Sequence, residues 1–185
     1  MEVGQVLAPD RRFPILLIDG VGVGCTTDRL ELFATDDADD SLARVEAIAV
    51  RTLELLQHTP VFGFGANFTF MDAEVDAAIA DALMTAERLE AHYRITDRAY
   101  QTSIALADDL VLNLLRHIGA DGVQIAMNFH YGVVGAESAR NAIQGALGRA
   151  KEQALKIMSE LYHQDEFEIA KFGPAPTGED SNVEI

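Results

Sequence analysis

Four side chains in the second half of the chain carry groups suited to chemistry: the Ser103 hydroxyl, the Asn113 and Asn128 amides, and the His130 imidazole. A serine with a histidine suggests a nucleophile and its general base, provided the two lie within hydrogen-bond reach. Register decides whether they do. Leu110 to Ile118 and Val123 to Tyr131 both alternate apolar and polar residues, the period of a strand with one buried side. If Ile118 lies opposite Val123 across a four-residue turn, Leu114 faces Met127 and Leu112 faces Phe129, so the apolar sides agree. Asn113 then faces Asn128. Placing Leu106 opposite Leu110 sets Ile104 against Leu112 and Ser103 against Asn113.

A polar row, Ser103–Asn113–Asn128, is thus expected to cross three strands, with Gln101, His117, Gln124 and His130 around it. Ser103 and His130 sit two strands and two residues apart in this register, roughly 11 Å at ordinary strand spacings. A serine base must come within about 3 Å, so the two do not form a catalytic dyad. The row reads instead as a hydrogen-bonded ladder, or as the floor of a ligand site or interface. Asn67 and Tyr131 join it as candidates through a repeat: Asn67-Phe68-Thr69-Phe70 lines up with Asn128-Phe129-His130-Tyr131. Four residues seen twice do not identify a family.

Other groups are less promising. The five histidines show no His-x-x-x-His spacing and the lone Cys25 no Cys-x-x-Cys partner, so neither a metal nor a cofactor is expected. Gly20, Gly22 and Gly24 invite comparison with a phosphate-binding loop. Such a loop must open a helix, whereas the residues that follow, Arg29 to Phe33, alternate like a strand. A glycine-bent hairpin or bulge is the expectation there. Asp36 to Asp40 lack the spaced ligands and central glycine of a calcium loop. They suit the positive end of the next helix, with Ser41 or Asp40 as its cap.

The elements that must position the row form an α+β pattern. Phe62, Phe64, Ala66, Phe68 and Phe70 alternate with small or polar residues and predict a strand with one aromatic face. Helical spacing predicts helices over about 42–56, 72–89 and 136–162. The expected fold is one mainly antiparallel sheet of about six strands with three helices packed on one face. Residues 1–12 read as a loosely held arm, 13–172 as a single domain, and 173–185 as a disordered acidic tail.

Composition bounds the function. Fourteen Lys+Arg against 30 Asp+Glu give a formal net charge of −16, which opposes phosphate backbones and anionic lipids, so no direct nucleic-acid or membrane partner is expected. No apolar run approaches a membrane span. The N-terminus shows no basic region followed by an apolar stretch, and one cysteine makes no internal disulfide; a cytoplasmic protein is expected. A two-layer protein leaves one sheet face open, and here that face mixes Val61, Ala105, Val111, Leu115 and Ala126 with neutral polar residues. Depleted charge marks an interface. The leading expectation is therefore a non-enzymatic interaction or assembly protein that self-associates as a dimer. The alternatives are an enzyme or small-molecule binder using the polar row, and an acidic decoy for a basic partner.

Overall fold

The structure, a computed structural model, describes residues 3–6, 15–72, 98–119 and 122–162. It is an α+β protein with antiparallel sheets and, among the described residues, three helices. The chain divides into two compact units, one containing residues 1–45 and the other residues 46–170.

In the first unit, β1 (Val3–Val6), β2 (Ile15–Ile18), β3 (Val21–Cys25) and β4 (Leu30–Ala34) form an antiparallel sheet in chain order. Asp19 and Gly20 both have positive φ (48° and 80°), the conformation of a two-residue hairpin turn that matches strand twist. Gly22 lies under the Phe33 ring, whose atoms sit 2.0–2.5 Å from where a Cβ would stand, so any larger residue would have to displace the ring. The Gly20–Gly24 segment is thus a turn and strand. Helix α1 (Asp39–Leu55) follows, and the boundary between the units falls within it. Ala38 stands at the cap position, its carbonyl accepting from the Ser41 and Leu42 N–H groups at 2.9 and 3.0 Å, so Asp40 and Ser41 lie inside the first turn rather than capping it; Asp36 accepts from the Ala38 N–H at 3.1 Å just ahead of the helix.

The second unit holds β5 (Gly63–Asp72), β6 (Arg98–Ala107), β7 (Leu110–Gly119) and β8 (Gly122–Gly132), in the spatial order β5-β8-β7-β6. The expected single sheet of about six strands is therefore corrected to two separate sheets. Strands β2, β3 and β4 close on one another through short turns, and β5 pairs with β8.

Helices α2 (Gly135–Ile143) and α3 (Ala146–Tyr162) replace one expected long helix. Gly145, at φ 67°, breaks it in a conformation other residues rarely take. The break resets the buried stripe to Ala146, Ala150, Ala154, Met158 and Tyr162, spaced by four, while Leu161 is exposed. Small alanines let α3 lie close against β5, over a core of Phe68, Phe70, Met127 and Phe129. Glu46 secures the start of α3: its carboxylate accepts from the Gly145 and Leu147 backbone N–H groups at 2.8 and 2.7 Å. Phe62 precedes β5 and is 81% exposed, outside the aromatic face expected for it. The helix expected over 72–89, the tail after 173 and the arm other than Val3–Val6 lie outside the described residues.

Candidate functional site

The β7–β8 register is the one that apolar alternation predicts: Ile118 opposite Val123, Leu114 opposite Met127, Leu112 opposite Phe129 and Asn113 opposite Asn128. Ser103 faces Asn113 and Ile104 faces Leu112. One pair differs. A bulge at Leu106 puts Ala107, not Leu106, opposite Leu110. It sits at the end of the hairpin, so the pairs from Arg98 to Ala105 keep their places.

Pairing of β5 with β8 adds a fourth rung, Asn67 opposite Asn128. The row is a continuous ladder of hydrogen bonds. Ser103 Oγ donates to Asn113 Oδ1 at 2.7 Å, Asn113 Nδ2 to Asn128 Oδ1 at 3.2 Å, and Asn128 Nδ2 to Asn67 Oδ1 at 2.6 Å. Every donor points the same way, from β6 toward β5. The two inner asparagines are half-buried and the two ends exposed. Asn67 was reachable from its place in the aromatic alternation, but its partner was not, because strand order leaves no mark on periodicity.

Around the ladder, on the face that no described helix covers, lie three more rows. Gly65, His130, Val111 and Ala105 form one. Thr69, Ala126, Leu115 and Gln101 form the next, and Met71, Gln124, His117 and Ala99 the last. None of the sixteen positions in these four rows is Asp, Glu, Lys or Arg. At the chain's 24% charged composition about four would be.

The glycines of β5 serve the side chains beside them. A Cβ on Gly65 would stand 2.6 Å from Asn128 Nδ2, and one on Gly63 would stand 2.8 Å from His130 Cε1. Asn128 and His130 therefore occupy the room over these glycines that a ligand would need to approach the backbone. Tyr131 does not join the site. It lies on the covered face, its ring stacked on Phe64 at 4.5 Å, and burial pushes its phenol above the ordinary value while Arg149 opposes the shift.

Two features gave no signal in the sequence. Arg116 falls on the covered face between Ile125 and Tyr100, an unexpected place for a charge. Its guanidinium donates to Thr102 Oγ1 at 2.8 Å and lies near the buried Tyr162, whose phenol is pushed up by burial and pulled back by this cation. Separately, Leu53, Gln57, His58, Ala136, Glu137 and Arg140 line a shallow cleft of about 380 Å³ that holds no residue of the ladder. Among the described residues no helix is long and apolar enough to cross a membrane. Comparison with known proteins returns no match to a family model, to a curated protein or to a solved structure.

Proposed function

We propose that this protein is a self-associating interaction protein whose contact surface is the open face of the β5–β8 sheet. The observation that carries this reading is a sixteen-residue face without formal charge on a chain of net charge −16. Two such chains repel through most of their surface, and a charge-free face is where that repulsion is least. A second copy also suits the ladder, since amides carry both donors and acceptors and can satisfy amides of their own kind. A cytoplasmic setting fits the lone Cys25, which is exposed and unpaired.

The face measures about 19 by 26 Å at ordinary strand spacings, roughly 500 Å². A stable interface buries about 800 Å² on each partner, so a face-to-face dimer is expected to be weak and to dissociate on dilution. Ala126→Glu places a carboxylate between Thr69 and Leu115 without touching the covered side. Light scattering is expected to show a lower average mass for this variant, with its circular dichroism unchanged. An unchanged mass, or a wild-type chain that is monomeric at high concentration, refutes the proposal.

A further inference from the structure

The order β5-β8-β7-β6 leaves both β5 and β6 with a single strand neighbour among the described residues, and the two edges are not alike. From Ala99 to Ala107, β6 contains no charged residue and no proline, and Ile104 and Leu106 are each 40% exposed. Edge strands are ordinarily guarded against pairing by lysine, proline, shortness or a bulge. Here the bulge lies at the far end and leaves 98–105 regular. Among the described residues, 99–105 of this edge carry none of those guards.

The ladder says which strand suits this edge. Its donors all point toward β5, so Asn67 presents unused Nδ2 hydrogens at one edge and Ser103 presents unused oxygen lone pairs at the other. Turning every amide over reverses the direction but still leaves one donor end and one acceptor end. Two β6 edges or two β5 edges brought together would reverse the direction of the ladder at the joint, whereas β5 against β6 continues it in one direction through every joint.

Sheet geometry agrees. Four alternating strands return the fifth place to the direction of β6, antiparallel to β5, and leave the outer backbone groups of the two edges in phase. Placing Ser103 of the next copy beside Asn67 sets its Tyr100 opposite Phe70, its Ile104 opposite Ala66 and its Gln101 opposite Thr69, like with like on each face. The same register brings the acidic residue at position 72, the last of β5, opposite the basic residue at position 98, the first of β6.

We propose that β5 of one copy pairs with β6 of the next, row on row, so that sheet and ladder run through successive copies. A closed barrel requires the strands to stagger, and row-on-row pairing has no stagger. The contact is therefore head-to-tail and open, giving a helical filament whose turn follows the right-handed strand twist. This interface uses the sheet edges and does not rest on the face-to-face contact.

The test is a charge swap in the Ala126→Glu background, where the face is already blocked. Asp72→Arg chains put basic against basic at every joint, and Arg98→Asp chains put acidic against acidic. Each alone is expected to stop growing with concentration, while an equimolar mixture alternates and recovers an average particle mass several-fold above either. Recovery by mixing supports the edge contact even if Ala126→Glu itself changes nothing. No recovery overturns it, as does a parent chain whose mass is independent of concentration, or an Asp72→Arg chain that grows as its parent does. Circular dichroism checks that each variant folds. Should either not fold, Ser103→Lys at the exposed edge replaces it, and unimpeded growth of that variant overturns the proposal equally.

Discussion

Gly65→Ala should change the sign of its effect with the residue at position 128. A methyl at position 65 would stand 2.6 Å from Asn128 Nδ2, too close to coexist with it, and the next atoms lie at 3.7 Å or beyond. The amide is the end of a side chain and can swing away. In doing so it gives up its bonds to Asn67 and Asn113. Each such bond is worth about 1 kcal/mol net, so the loss is about 2 kcal/mol. Alanine returns about 0.4–1 kcal/mol by restricting the unfolded chain at a position with ordinary strand geometry. The expected balance in the wild-type background is about 1 kcal/mol of destabilisation. Asn128→Ala removes both the clash and the bonds beforehand. In that background Gly65→Ala should stabilise by about 0.4–1 kcal/mol, a coupling of roughly 2 kcal/mol between the two positions. Urea unfolding of the four proteins measures it. Destabilisation of similar size in both backgrounds would mean that the glycine is required by something other than the ladder. Gly63 supplies the contrast. The backbone oxygen of Tyr131 also stands 3.0 Å from its Cβ position, so removing His130 relieves Gly63→Ala only in part.

Phe68 and Phe129 meet edge to face at 6.4 Å in the buried core, and alanine at either is expected to cost about 3–5 kcal/mol in urea unfolding; near-neutral results at both would reverse the assignment of the covered face. Glu46→Ala leaves two backbone N–H groups at the start of α3 without their carboxylate, and hydrogen bonds to a charged group are worth about 1.5–3 kcal/mol. A thermal-unfolding loss of about that size is expected, with Glu46→Gln intermediate because one acceptor oxygen remains.

The β6–β8 register was legible because three strands carry the same apolar alternation and a one-residue slip would turn Leu110, Leu112 and Leu114 off the covered face. The same information placed Ser103, Asn113 and Asn128 in one row. It did not reach the fourth rung, because Asn67 meets Asn128 through a sheet order that periodicity does not encode. The repeat of Asn67–Phe70 in Asn128–Tyr131 does not carry the pairing either: the two strands run antiparallel, so Phe68 faces Met127 and Ala66 faces Phe129. Strand β3 was hidden by Gly22 and Gly24, residues that weaken a strand by propensity yet at Gly22 leave room for the Phe33 ring. The split between α2 and α3 was hidden likewise. Gly145 and Gly148 look alike in the sequence, and only Gly145 takes positive φ.

The position of β5 beside β8 bears on the order in which the chain can assemble during synthesis. The rungs Ser103–Asn113 and Asn113–Asn128 close over 10 and 15 residues, whereas Asn67–Asn128 closes over 61. With closure entropy growing as (3/2)RT ln n, the last rung costs about 1.6 kcal/mol more to bring together than the first. The three-strand meander is thus the cheaper piece, and β5 is expected to dock on it afterwards. Translation runs in the opposite order, delivering β5 well before β8 exists. Phe68 and Phe70, buried in the finished protein, must therefore wait in the nascent chain for a partner strand that is made later.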